Sequence, residues 1–257
     1  MVILFAMHIY IVTGTTRGLG RALAEAIVGA GDWLLSLSSA PERLGHRRCN
    51  VQCDLRRLES VPISLERLLN SVNPENAKGI ILVNNAGVLE PIGPVDTLEE
   101  KHILDHLLVN QAAPAILMSA FIRLTEGIRC QRRIINISSG AGRHPYAGWS
   151  MYCASKAALN MMSQCIGAEQ ELRDDAVAVS AVSPGKMETD MQAQARAADV
   201  SRFPAREDFI RAKLQGDLIA PQRAAEMILS LDKQGYFKNG GVYDLREIAA
   251  REGLPRL

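Results

Sequence analysis

Short, continuous apolar runs recur along the chain: Ile9–Thr13, Trp33–Leu37, Gly79–Asn84, Arg133–Ser138, Val177–Val182 and Gly241–Leu245. Each reads as a strand buried on both faces, the pattern of a parallel sheet covered by helices on either side. Between the runs the apolar positions move to helical spacing. Leu19, Leu23 and Ile27 follow the first strand. Leu104, Leu107 and Leu108 lead into Ile116, Leu117, Phe121 and Leu124. Leu159, Met162 and Ile166 follow Tyr152, and Ala224, Met227, Ile228 and Leu231 mark a late helix. This alternation predicts one α/β domain over residues 1–257, a single doubly wound parallel β-sheet in a Rossmann-like three-layer α/β/α arrangement. Residues 186–221 are less regular and charge-rich. They follow a strand late in the chain, where either a lid over a pocket or a peripheral helix pair fits.

Composition narrows the class. The chain is 47% hydrophobic with a net charge of +1, so it can bury a core and carries no global basic excess for nucleic acid or an anionic membrane. No uninterrupted apolar run reaches the ~20 residues of a bilayer span. The apolar start runs directly into a glycine turn and reads as a first strand rather than a signal peptide, with Met7 an alternative start after an extension Met1–Ala6. The five cysteines form no CxxC pair, which points to free thiols in a reducing cytoplasm. The five histidines form no metal motif. His102 and His106, four apart, read as a solvated helix face.

The chemistry begins in "IVTGTTRGLGRAL", a strand, a glycine turn and a helix. Gly14, Gly18 and Gly20 allow a tight turn and close approach of a phosphate to the backbone, and the helix N-terminus supplies free N–H groups. No acid stands at the end of the second strand, where Ser38 and Ser39 fall, so nothing there would repel a 2′-phosphate. Arg17 and Arg43 are candidate cations for that phosphate. In "SMYCASKAAL", Tyr152 and Lys156 are four residues apart and share a helix face. A nearby cation lowers a phenol's pKa, which would tune Tyr152 as a general acid and base. Ser138 and Ser139 compete to hold a carbonyl oxygen.

Seven motifs in order, "TGTTRGLG", "CDL", "NNAG", "LLVNQ", "NISSGAG", "YCASK" and "SPGKMETDM", make the chain from Ile9 to Leu245 similar to the short-chain dehydrogenases/reductases. The resemblance implies a dinucleotide cofactor held by Gly14, Thr16, Arg17, Gly18, Leu19 and Gly20, by Ser38, Ser39, Asp54 and Leu55, and by Asn85, Ala86 and Gly87. It adds Tyr152, Lys156, Pro184, Gly185, Met187, Thr189 and Met191. It implies a catalytic set of Asn110, Ser139, Tyr152 and Lys156, with Ser139 chosen because it begins the Ser-x-x-Gly pattern. Asn110 would distort its helix and hold a water in a relay to the lysine. One departure stands out. Residues 39–51 are short and interrupted by Pro41 and Gly45, so the family's helix there is expected to be truncated or absent.

The expected cofactor is NADPH rather than NADH, and the expected substrate a small carbonyl compound. Trp149, His144 and Tyr146 are candidate substrate contacts, although Trp149 could equally pack in the core. "NNAGVLEPIGPVDT" and "GGVYDLRE" look most like the branch of benzil reductases and sepiapterin-reductase-like enzymes, which implies an aromatic ketone or diketone. Two alternatives compete: a sugar or secondary-alcohol dehydrogenase of the same family, and a regulatory dinucleotide-binding protein without chemistry. The apolar stripes Leu104–Leu124 and Tyr152–Ile166 resemble those that pair across family dimers, so a homodimer or homotetramer is expected.

Overall fold

The computed structural model describes residues 7–41 and 46–253. The first-strand reading from Met7 onward falls within them. The extension Met1–Ala6 and the candidate cation Arg43 lie outside the described residues.

Seven parallel strands form one sheet in the order β3-β2-β1-β4-β5-β6-β7 among the described residues. They are β1 (His8–Thr13), β2 (Trp33–Ser38), β3 (Arg48–Gln52), β4 (Gly79–Asn84), β5 (Gln131–Ile137), β6 (Ala178–Ser183) and β7 (Val242–Asp244). The order reverses between β1 and β4, so their C-terminal ends diverge and leave a crevice, the usual ligand position in an open α/β sheet. Alternate side chains of each strand enter opposite layers. Tyr10, Val12, Ile81, Val83 and Ile135 pack against α1 (Gly18–Gly29), α8 (Pro221–Lys233) and α9 (Leu245–Arg251). Ile9, Ile11, Ile80, Leu82 and Ile134 pack against α2 (Ser60–Leu69), α4 (Ala113–Leu124) and α5 (Ser150–Gln170).

Three elements escaped the sequence pattern, among them the short terminal helix α9. Strand β3, "RCNVQ", is an edge strand of half-buried residues with no apolar run to announce it. Helix α2 carries Pro62 near its start and buries only one stripe. Among the described residues no helix lies between β2 and β3, and residues 42–45 of the segment expected to be truncated lie outside the described residues.

The stretch Glu100–Leu124 contains α3 (Glu100–Leu107), a π-turn (Leu108–Ala112) and α4. As a 25-residue helix it is long and apolar enough, by length and composition, to cross a membrane, although charged and polar residues interrupt its apolar run. A core helix of a soluble fold meets the same criterion. This one buries Asn110 and His106 completely and packs its apolar side on the sheet. Residues 186–221 form a helix pair, α6 (Asp190–Ala197) and α7 (Arg206–Leu214), set above the crevice.

Candidate active site

A cavity of about 650 Å³ runs along the C-terminal ends of the strands, from Ser39 and Asp54 past Gly14 and Gly87 to Trp149 and Phe209. Apart from Arg43, which lies outside the described residues, it brings together the candidate cofactor and substrate residues named from the sequence, and of the catalytic set Ser139, Tyr152 and Lys156. Asn110 stands one layer behind its wall, 1% exposed.

The floor is a backbone cradle. Gly14 and Gly18 take φ of 71° and 53°, the left-handed region that favours glycine. A Cβ at Gly20 would stand 2.0 Å from the Gly14 carbonyl oxygen and 2.5 Å from Asn85 Nδ2, so only glycine fits. Arg17, at the N-cap of α1, offers no side-chain cap, and no acid occupies the first turn, which leaves first-turn N–H groups and the dipole's positive end for an anion. Thr13, overlooked in the sequence, holds the cradle to β4: its Oγ1 accepts from the backbone N–H groups of Asn85 and Ala86 at 3.0 and 2.9 Å. Asn85 Nδ2 donates to the carbonyls of Thr13 and Gly14 at 2.9 and 3.1 Å, so its side chain braces the turn. Cradle, helix terminus and elongated cavity fit a dinucleotide.

At the far end of the cradle the Ser38 hydroxyl is committed, donating to the Ala40 carbonyl at 2.6 Å and accepting from Asn50 at 2.9 Å, whereas Ser39 is exposed. Arg17 is 67% exposed and faces Asp190 of α6 at 3.7 Å across the crevice. Asp54 is gripped by Arg56 at 2.8 Å, and this hydrogen bonding lowers its pKa. Arg56 is a further cation on the cavity wall.

The reacting groups sit where β5 and β6 end. The Lys156 ammonium is buried, donates to the Ile137 carbonyl at 2.8 Å, and has its pKa lowered by burial to about 8. Its Nζ is 5.8 Å from the Tyr152 ring centroid. The Tyr152 hydroxyl, 3.7 Å from the Met191 sulfur, is pushed up by burial to about 12, with hydrogen bonding to Ser139 pulling the other way. The shift runs opposite to the expected tuning toward neutrality, because desolvation of the phenolate outweighs the hydrogen bond from Ser139. The two serines divide cleanly. Ser138 Oγ donates to Asn160 Oδ1 at 2.6 Å and is tied into α5. Ser139 Oγ accepts a 3.2 Å bond from Ala141 N–H and stands at the cavity in hydrogen-bonding contact with Tyr152.

Asn110 lies in the π-turn, so the helix is distorted where the resemblance places the distortion. Its side chain is fully engaged: Oδ1 accepts from Val88 N–H at 2.9 Å, and Nδ2 donates to the Val88 carbonyl at 2.8 Å and to His106 Nε2 at 3.0 Å. His106 corrects the sequence reading. His102 is 55% exposed at its side chain, but His106 is 0% exposed and packs edge-on against Tyr152. The two share a helix face, with His102 in the exposed first turn and His106 one turn deeper under α5, and no periodicity of apolar residues reveals that depth.

The remaining walls are aromatic. Trp149 lines the cavity and packs in a cluster, stacked on Phe203 at 4.3 Å and edge-on to Phe209 and Tyr152 at 5.0 and 5.4 Å. Tyr146 adjoins it at 5.4 Å, and His144 is exposed at the rim. Pro184 and Gly185 close the opposite side. Gly185 has φ 88°, and a Cβ there would meet Ile219 at 2.6 Å. Thr189 caps α6 by accepting from Gln192 N–H at 3.4 Å, and Gly18 faces its methyl, to which an added Cβ would stand at 3.4 Å.

A parallel sheet with a glycine cradle at its crevice and a Tyr–Lys–Ser group beside it defines a nucleotide-dependent oxidoreductase. The chain belongs to the short chain dehydrogenase family, whose pattern it matches over residues 8–200, and it is an oxidoreductase of that family, which uses a nicotinamide dinucleotide. It is 35% identical over 242 residues to the benzil reductase ((S)-benzoin forming) of Bacillus subtilis (strain 168), covering 94% of this chain and 99% of that one. It is 29% identical over 252 residues to the sepiapterin reductase of Bos taurus, covering 91% and 92%. Among solved structures it resembles the KRED1-Pglu enzyme at 26% identity, with a TM-score of 0.78 over 92% of this chain and 100% of that one.

Proposed function

We propose that the protein is an NADPH-dependent carbonyl reductase that takes an aromatic ketone or diketone. The observation that carries this reading is the pairing of a buried Tyr152 with the Ser139 hydroxyl beside it at an aromatic-walled cavity. The similarity to a benzil reductase supports the substrate class.

The cradle around Gly14, Gly18 and Gly20 would hold the pyrophosphate, Lys156 the nicotinamide ribose, and Thr189 with the Pro184–Gly185 turn the nicotinamide end. The bound cofactor supplies the hydride. Ser139 donates a hydrogen bond to the substrate carbonyl oxygen and steadies the charge that develops there. Tyr152 delivers its proton to the same oxygen, so the carbonyl becomes a secondary alcohol. Tyr152, raised to about 12 by burial, holds its proton at neutral pH and so is present as the donor form. Lys156, below its pKa of about 8 at neutral pH, supplies the cation that steadies the phenolate left behind. Asn110, through the π-turn, holds the relay that reprotonates Tyr152.

The NADPH preference rests on the absence of an acid at the end of β2 and on Arg17 and Arg56 at the cavity. The helix pair α6 and α7 acts as the lid over bound substrate. The exposed Leu104 and Met161, on α3 and α5, support a homodimer or homotetramer, which light scattering at micromolar concentration tests. The enzyme is tested by NADPH oxidation with benzil, other aromatic diketones, quinones, pterins and sugars. Turnover of diketones with a higher kcat/KM for NADPH than for NADH is expected. Turnover of sugars alone, or equal use of NADH, contradicts the proposal.

A further inference from the structure

His106 is a buried titratable group that the proton transfer above does not use. It sits in the last turn of α3, four residues before Asn110 and 0% exposed. Its Nδ1 lies 2.7 Å from the Glu90 carbonyl oxygen. A carbonyl only accepts, so Nδ1 carries the proton and Nε2 presents a lone pair. Two groups face that lone pair: the Asn110 amide nitrogen at 3.0 Å and Ser155 Oγ at 3.2 Å. The Ser155 hydroxyl gives its proton to the Tyr152 carbonyl at 2.8 Å, so the donor to Nε2 is Asn110. With Val88 taking the other amide proton and bonding the amide oxygen, every polar atom of the Asn110 side chain is matched. The imidazole also meets the Tyr152 ring edge-on, centroids 6.4 Å apart at 80°. One side chain thus ties together the segment after β4, the π-turn and the start of α5, the pieces that carry Asn110, Tyr152 and Lys156.

We propose that His106 is a positioning residue of this site, that it works only as the neutral Nδ1–H tautomer, and that its protonation loosens Asn110 and Tyr152 and so sets the acid limit of activity. The proposal rests on the reading of Tyr152 as proton donor. A protonated imidazole would turn Nε2 into a donor facing the amide donor of Asn110, with the Met151 carbonyl the backbone acceptor on that side and the acceptor for Asn110 lost. The surroundings offer it no compensating charge. On α5 it faces the Lys156 cation and the uncharged Tyr152. The Glu90 carboxylate is turned back onto Ile92 N–H at 3.0 Å. On its own helix Asp105 faces Arg56 at 4.0 Å, and His102 faces Glu99 at 3.8 Å. Burial, reinforced by Lys156 and opposed by the backbone bonds to Glu90 and Met151, holds the His106 pKa below its ordinary value. The imidazole is therefore neutral at physiological pH, and the switch lies on the acid side.

Nitrogen NMR of the imidazoles in the wild-type protein, from about pH 5 to 8, reads the tautomer and titration without any substitution. A Nδ1–H tautomer that titrates below the free histidine value of about 6.5 is expected. The Nε2–H tautomer, or titration at or above that value, overturns the proposal. In steady-state assays His106→Leu is expected to lower kcat about 10- to 100-fold through misplaced groups, with the KM for NADPH nearly unchanged. His106→Gln restores an acceptor for Asn110 but cannot be protonated, so it is expected to recover most of kcat and to lose the acid limb of the pH profile. Wild-type kcat in His106→Leu, no recovery in His106→Gln, or an unchanged acid limb in His106→Gln overturns it. Tyr152→Phe, run alongside, separates the two readings. If its activity survives, the proton-donor assignment fails, whereas the NMR result judges His106 independently.

Discussion

Replacing Lys156 with methionine should make the protein less active and, near neutral pH, relieve it of a buried charge. Burial depresses the lysine pKa from 10.5 to about 8, and at about 1.4 kcal/mol per tenfold in proton affinity this is a penalty of about 3 kcal/mol on the folded state. The sign follows from proton counts. Between the two values the unfolded chain binds more protons than the folded one, so wild-type stability rises with pH across that window. Below pH 8 the penalty is complete, and above pH 10.5 it has vanished. Methionine carries no such penalty but strands the Ile137 carbonyl, which loses its 2.8 Å bond at a cost of about 1–3 kcal/mol. The absolute difference at neutral pH is therefore small, and the informative quantity is its slope. Urea melts at about pH 7 and 10 should show the stability of Lys156→Met relative to wild type falling by about 2–3 kcal/mol as pH rises. Tyr152, held near 12, does not titrate in that range. Parallel pH profiles for the two proteins would refute the depressed lysine.

Other substitutions separate binding, chemistry and packing. Gly20→Ala forces a Cβ to within 2.0 Å of the Gly14 carbonyl oxygen, so NADPH affinity by fluorescence titration should fall at least about 10-fold, with a loss of about 1–3 kcal/mol in stability; wild-type affinity would contradict the cradle. Ser139→Ala should lower kcat about 10²- to 10³-fold with little change in melting temperature. Ser138→Ala should do the reverse, costing about 1 kcal/mol through its lost bond to Asn160 while sparing most of kcat; the opposite pattern would exchange their roles. Trp149→Ala should cost about 3–5 kcal/mol by urea denaturation, because the indole stacks on Phe203 within a buried cluster; a near-neutral effect would make it a pocket residue alone.

Much of this architecture was legible because continuous apolar strands and glycine turns leave local marks. The six apolar runs correspond to six of the strands with small shifts at their ends, as for β5, which begins at Gln131. Strand β3 left no mark, since an edge strand half open to solvent needs no apolar run. The candidate site was legible where motifs carry it, and the cavity gathers those residues. What stayed hidden depends on three-dimensional direction. His106 lies one turn deeper than His102 along the same helix face, under α5, whereas His102 is at the open end. Thr13 is an ordinary strand-end threonine until its hydroxyl is seen bridging to Asn85 and Ala86. The pKa of Tyr152 follows the depth of its burial, which the four-residue spacing to Lys156 does not encode.

The central claim is that Tyr152 protonates a carbonyl oxygen as hydride arrives. Single-turnover oxidation of NADPH with benzil, comparing wild type with Tyr152→Phe, tests it directly, because phenylalanine keeps the ring contact to Trp149 and removes only the hydroxyl. The chemical step should slow about 10²- to 10⁴-fold, with cofactor affinity retained. A step that proceeds at the wild-type rate in Tyr152→Phe would contradict the account.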